Sequence, residues 1–252
     1  MSWFHSLPLG LLALLIALLL LAALEIGHRL SQVAPITEQQ VSTISTAILA
    51  VVGLLLAFSF GMAGDRHALR RAAAVQGANS IGTFWLRTSL EPEPIRTEMR
   101  SRLRRYVDLH IEHRKAGIDQ RTTTELEAEA DRLERDIWAL LEQDAERAPE
   151  SSRLRLLVPA LNAMIDDRAT LQAARNNRVP TALLVYLLAL VCAAGVVTGY
   201  RPRRERRNSI LWGIFLLVVG GALMVLLDID RTRSGFVQTD PTPYVRLRSG
   251  LD

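Results

Sequence analysis

The chain contains very little cysteine and very little lysine. Cys192 is the only cysteine and Lys115 the only lysine among 252 residues. A single thiol excludes a disulfide within the chain and a multi-cysteine metal site. Arginine carries the basic charge, and in the middle of the sequence it stands beside acidic residues at helical spacing, which is typical of a solvated helix face. No compact basic cluster with interleaved aromatic residues occurs there, so we expect no nucleic-acid binding.

Four stretches lack Asp, Glu, Arg and Lys altogether. They cover 7–24, 41–64, 180–200 and 209–227, and each can cross a hydrocarbon core of about 30 Å as a helix. The first is longer than the apolar region of about 7–15 residues in a secretory signal, and no Lys or Arg precedes it, so we expect it to be retained. The sequence therefore predicts four membrane-spanning helices, at about 7–28, 42–64, 180–200 and 209–227.

The segment between the second and third spans is polar but keeps a helical period. Apolar residues recur at this period over 95–117, 123–146 and 151–178, with a kink expected at Pro159. No helix breaker follows the second span before Pro92, so we expect that helix to continue to about Arg87. The sequence shows no alternation typical of strands.

The predicted fold class is an all-α integral membrane protein, with four transmembrane helices in two hairpins and a helical soluble middle domain. The predicted domains are a transmembrane hairpin over 1–64, the middle domain over 65–179, and a second hairpin with a C-terminal tail over 180–252.

No motif of a known catalytic class is present. The sequence has no phosphate loop, no nucleophile elbow and no His-Glu-x-x-His, so we expect no enzyme activity and no cofactor. His110 and His113, near Asp108, share a helical face and could bind a metal. Such a pair is more often plain surface, so we predict no metal site.

Two stripes of residues recur every four positions on the second span. They are the small residues Gly53, Ala57 and Gly61, and the bulky residues Val52, Leu56 and Phe60. We expect the small stripe to pack helices, because small residues let helix backbones approach closely in lipid. The bulky stripe could also pack the four spans, or it could face an axis as an apolar constriction.

Two carboxylates stand at the end of the fourth span, where the helix dipole disfavours negative charge. They are Asp228 and Asp230, and Arg231 and Arg233 follow them. The arginines could balance the carboxylates in an interfacial charge network that includes Arg231. The alternative is a cation held by the two carboxylates.

Several of these segments resemble one bacterial family. They are 56–66 (LAFSFGMAGDR), Arg70 and Arg71, 78–83 (ANSIGT), 86–87 (LR), 104–108 (RRYVD), 228–231 (DIDR) and 234–235 (SG). They are similar to the DUF4239 family, which is described as bestrophin-like. The chain departs from that family at Gly77, where an acidic residue is usual, and at Thr232, where proline is usual.

The resemblance implies the four-span layout and a location in the bacterial inner membrane. It extends to the bestrophin anion channels, whose second span lines a pentameric pore. We therefore expect a homo-oligomeric, anion-selective channel with a constriction formed by Val52, Leu56 and Phe60. The alternative is a membrane-anchored sensor or scaffold whose helical middle domain binds partners.

The distribution of arginine predicts a cytoplasmic middle domain. Ten arginines lie near membrane ends on the side of the middle domain, against six on the other side. The short loop 201–207 is itself rich in arginine and favours the opposite orientation.

Overall fold

The structure is a computed structural model that describes residues 8–33, 36–116, 119–149, 151–200, 209–231 and 242–251. All regular structure in these ranges is helical, which confirms the predicted all-α class. The helices are α1 (Leu9–Val33), α2 (Glu38–Arg87), α3 (Ile95–Lys115), α4 (Gln120–Arg147), α5 (Ser152–Asn176), α6 (Thr181–Gly199), α7 (Ser209–Phe215), α8 (Gly221–Asp230) and α9 (Thr242–Ser249). A 3-10 turn, Thr88–Leu90, follows α2, and a π-helical turn, Leu216–Gly220, joins α7 to α8.

Four helical segments are long and apolar enough to cross a membrane, as predicted. They are α1, the first part of α2, α6, and the continuous segment of α7, the π turn and α8. α1 continues five residues past its predicted end, to Val33. An ion pair one turn apart, 3.0 Å between Arg29 Nε and Glu25 Oε1, joins the first residue of this extension to the turn before it.

The chain divides into two compact units. The membrane unit comprises 1–66 and 178–237, and the helical unit comprises 67–177 and 238–252. α2 passes from one unit into the other between Arg66 and His67 without a break in the helix. At 50 residues this helix is about 75 Å long, more than twice the thickness of a hydrocarbon core.

The core of the membrane unit forms where α1 packs along α6. Leu20, Leu187, Val191 and Leu226 are fully buried there. These residues come from three different spans, so the spans enclose a common apolar interior.

The core of the helical unit draws on every helix of that unit. Phe84, Tyr106, Ile137 and Leu157, from α2, α3, α4 and α5, are fully buried. The caps explain where two of these helices begin. Asp119 accepts a hydrogen bond from the Arg121 amide at 3.1 Å, which starts α4 three residues before its predicted start, and Ser151 caps α5 in the same way.

The C-terminal helix α9 completes the core of the helical unit. Tyr244 is buried, and Arg248 Nε lies 2.8 Å from Asp108 Oδ1 of α3. Gly77 makes room for the Tyr244 side chain, because a Cβ at position 77 would lie 2.7 Å from the Tyr244 hydroxyl. The sequence pattern predicts a C-terminal tail here, and within it the structure forms the helix Thr242–Ser249.

Candidate functional site

The bulky stripe predicted on the second span lies partly inside the membrane unit. Val52 is 2% exposed, and Leu56 and Phe60 are half-buried against the same apolar core. Within one chain, this stripe contacts the other spans of its own unit. Its role in a pore stays a prediction.

The small stripe lies on the surface of α2. Gly53, Ala57 and Gly61 are all exposed. A Cβ built on Gly53 or Gly61 would meet no atom within 4 Å among the described residues. Exposed small side chains leave a shallow groove suited to a second helix. The predicted packing role stays a prediction.

The membrane part of α2 is far less buried than the other spans. Within the most apolar window of each span, 6% of the residues of α2 are buried, against 28% in α1 and 39% in the fourth span. The exposed side chains include Leu54 and Phe58, which are 57% and 61% exposed. α2 therefore offers most of its apolar surface to lipid or to other copies of the chain.

Two glycines that the sequence reasoning missed bring α1 and α6 into backbone contact. A Cβ on Gly27 would lie 1.9 Å from the carbonyl oxygen of Val196, and one on Gly199 would lie 2.0 Å from that of Leu24. Only glycine fits at either position in this packing. The signal was present, because Gly199 follows Gly195 by four positions, the spacing of small residues typical of close helix pairs in membranes.

The carboxylates at the end of the fourth span lie in the last turn of α8, not beyond it. Asp228, Asp230 and Arg231 are all buried. Asp230 Oδ1 accepts a hydrogen bond from the Val179 amide at 2.8 Å, and its Oδ2 has no hydrogen-bond partner in the described residues. Asp230 thus links the end of the fourth span by a hydrogen bond to the residues just before α6. This bond supports the interpretation as a structural charged site, and the predicted cation remains untested.

A small cavity in the helical unit contains both histidines of the predicted pair. It has a volume of about 30 Å³, lies between α3, α4 and α5, and is lined in part by His110, His113, Glu127 and Arg175. Arg175 Nη1 lies 3.4 Å from His113 Nδ1, and His113 Nε2 lies 3.2 Å from Glu127 Oε1. Because a guanidinium only donates, Nδ1 must accept, so Nε2 carries the proton that is donated to Glu127.

His110 stands between two aromatic rings. It stacks on Tyr244 with a centroid separation of 4.5 Å and meets Tyr106 edge-on at 5.0 Å. Burial, followed by the charge of Arg175, lowers the pKa of His110 to about 3. Burial likewise raises the pKa of Tyr244 to about 12. Both groups are therefore neutral near pH 7 and act as aromatic packing between α3 and α9.

Comparison with known proteins gives one family and one fold. The family model of the Bestrophin-like domain matches residues 10–244. A bacterial Bestrophin homolog from Klebsiella pneumoniae is 14% identical, with 95% of each chain covered and a TM-score of 0.66. A variant of that homolog is 12% identical, with 95% of this chain and 96% of the other covered and a TM-score of 0.67. None of the curated protein sequences compared with the chain matches it.

The structural similarity extends over nearly the whole of both chains, although the identity is too low to show more than a shared fold. The family match covers both the membrane unit and the helical unit. The chain belongs to the family defined by the Bestrophin-like domain.

Proposed function

We propose that the chain assembles into a homo-oligomeric ion channel in the bacterial inner membrane, with its second span lining the pore and with selectivity for anions. The observation that carries this proposal is the surface of α2, which is apolar, almost unburied within one chain, and marked by small residues every four positions. Lipid contact alone does not call for such a stripe, whereas contact with other helices does. Membership of the bestrophin-like family supports the same function.

The proposed assembly places the small stripe between subunits. Gly61→Leu adds a branched side chain on the exposed face of α2, which would hold neighbouring helices apart. We expect this variant to lose the oligomer, measured as particle mass by light scattering in detergent. Gly213→Leu is the matched control, because a Cβ built on Gly213 also meets no atom of the described part of the chain within 4 Å, but Gly213 lies on the fourth span. Retention of the oligomer by Gly61→Leu, or equal loss in both variants, would contradict this interface.

The proposed constriction consists of bulky apolar side chains on α2. An apolar neck conducts when it is wide and wetted and closes by dewetting when it narrows. Of the predicted stripe, Leu56 and Phe60 keep exposed surface. The strongly exposed Leu54 and Phe58 form the opposite face of the helix and are the alternative lining.

Chloride flux from liposomes of purified protein tests both the function and the lining. With Phe60 in the constriction, Phe60→Ala raises flux and Phe58→Ala changes it little. The reverse result would assign the constriction to the face of Leu54 and Phe58. If neither the unmodified protein nor either variant gives flux, while a control channel does, the proposed channel function is contradicted.

A groove on the helical unit favours the scaffold as the second candidate function. It encloses about 790 Å³ between α2 and α9, and its lining includes Arg71, Asn79, Thr83, Leu86 and Arg246; none of the described residues that line it is a carboxylate. A groove of this size with an apolar floor and two cations suits an acidic partner. If flux is absent, binding of acidic peptides to the full chain, lost in Arg71→Gln, is the measurement that supports the scaffold.

A further inference from the structure

Two connections of the helical unit, α2 to α3 and α4 to α5, meet at a buried cluster of charges. Glu91 follows the 3-10 turn after α2, Asp144 lies in the last turn of α4, and Arg153 lies in the first turn of α5. The side chains of Glu91 and Asp144 are 0% and 4% exposed, and that of Arg153 is 34% exposed. Two buried carboxylates therefore face a single, partly exposed guanidinium.

The guanidinium is bonded to only one of the two carboxylates. Arg153 Nη2 lies 3.2 Å from Asp144 Oδ1 and 3.4 Å from Oδ2. Arg153 Nε lies 3.7 Å from Glu91 Oε2, which is beyond hydrogen-bond distance. Neither carboxyl oxygen of Glu91 has a hydrogen-bond partner among the described residues.

Three other arginines at this end of the unit donate hydrogen bonds to neutral groups, and one of them, Arg96, also lies 3.5 Å from Oε1 of the exposed Glu93. Arg96 Nε, on α3, donates to the backbone carbonyl of Glu91 at 2.9 Å. Arg100 Nε donates to Thr88 Oγ1 at 3.1 Å. Arg87 Nη1, at the end of α2, donates to the carbonyl of Leu156 at 2.7 Å. No hydrogen bond from these three cations reaches the carboxyl group of Glu91.

An ionised carboxylate in this position is unfavourable for two reasons. It is removed from water without hydrogen bonds, and it lies beside a second carboxylate that has already engaged the nearby cation. Burial raises the pKa of the Glu91 carboxyl, Asp144 adds to the rise, and Arg153 opposes it. Uptake of one proton from solvent by a Glu91 oxygen converts the carboxylate to a neutral carboxylic acid, which removes the cost of burying its charge and its repulsion with Asp144.

We propose that Glu91 is a proton-binding site, and that loss of its proton loosens the junction between the ends of α2 and α4 and the start of α5. The protonated cluster holds one carboxylate, one guanidinium and one neutral acid, so its charges balance. The deprotonated cluster holds a buried negative charge in excess. This inference does not depend on channel activity.

The sign of the effect on stability follows from the direction of the shift. Because the pKa of Glu91 is higher in the folded state than in the unfolded state, folding takes up a proton. The stabilisation by Glu91 is complete below the unfolded pKa and disappears as pH rises through the folded pKa. Glu91→Gln, which keeps the shape and stays neutral, should therefore be more stable than the unmodified protein at high pH, with a difference that vanishes on acidification.

Infrared spectroscopy of the full chain in lipid nanodiscs detects the proton directly. We expect a carboxylic-acid C=O band that titrates with pH in the unmodified protein and is absent in Glu91→Gln. Glu93→Gln is the matched control, because Glu93 lies two residues further along the same connection with a side chain 55% exposed, and this variant should keep the band. Asp144→Asn frees Arg153 to pair with Glu91, so it should move the titration to lower pH.

Two results would overturn the proposal. One is the same titrating band in Glu91→Gln as in the unmodified protein. The other is a thermal-unfolding profile against pH that is identical in the two proteins. If Glu91→Gln does not fold, the infrared titration of Asp144→Asn tests the proposal alone. A titration at the same pH as in the unmodified protein, or at a higher pH, would contradict the sharing of Arg153 between Glu91 and Asp144.

Discussion

At the scale of single residues, the close contact of α1 with α6 predicts that replacing Gly27 destabilises the protein. Gly27→Ala places a methyl group where the Val196 carbonyl oxygen lies 1.9 Å away, so the two backbones must separate. We expect the free energy of unfolding to fall by roughly 1–3 kcal/mol, which is typical of overpacking. The measurement is the thermal transition of the purified protein, which should move to a lower temperature. Gly10→Ala on the same helix meets no atom of the described residues within 4 Å and should change the transition little. Equal transitions in the two variants would contradict this packing.

The neutral His110 makes the helical unit sensitive to acid. Its pKa is lowered to about 3 in the folded state, whereas an unfolded histidine titrates near about 6.5. The stabilisation is therefore present above about pH 6.5 and is lost as pH falls toward 3, at up to about 1.4 kcal/mol per pH unit. His110→Gln should flatten the thermal-unfolding profile over this range. A profile as steep as that of the unmodified protein would show that His110 already carries its proton in the fold. Glu91 acts in the opposite direction, so the two variants separate the two groups.

At the scale of helices, the core of the helical unit predicts that its middle segment does not fold alone. The fragment 90–179 lacks Phe84 and Trp85 of α2 and Tyr244 of α9, all of which are buried in that core. Without them the faces of α3, α4 and α5 remain uncovered. We expect the isolated fragment to show no cooperative thermal transition as a monomer in circular dichroism. A sharp monomeric transition would contradict this prediction and would favour the scaffold function.

The helices themselves were largely predictable, because each obeys a local rule. Charge-free stretches predict the four spans, and Pro92 predicts the end of α2, because proline lacks an amide donor. The cap formed by Asp119 obeys a similar local rule, but the sequence analysis places the start of α4 three residues later. The docking of α9 was not predictable, because the space that Gly77 leaves for Tyr244 is a contact between residues far apart in sequence. For the same reason the stripe pattern could not decide which face of α2 its own unit buries.

At the scale of the whole molecule, the distribution of arginine predicts that residues 65–179 face the cytoplasm. Gln143 is exposed on α4, so a cysteine introduced there in a variant lacking Cys192 is accessible to reagents on its own side. We expect no reaction with a membrane-impermeant maleimide added to intact cells, and reaction once the cells are opened. Labelling in intact cells would show that residues 65–179 face the opposite side of the membrane.

The π-helical turn at 216–220 has a consequence for variation in chain length. A π turn holds about one residue more than an α turn, so it absorbs an extra residue without changing the faces that α7 and α8 present. Deleting the exposed Val218 should convert the turn to α-helix and leave both Trp212 and Leu226 in the core. We expect this deletion to preserve the thermal transition, whereas deleting Leu15 from the regular helix α1 should abolish folding. Homologues one residue shorter in the fourth span would then be structural equivalents of this chain, and sequence alignments should carry their gap at the π turn.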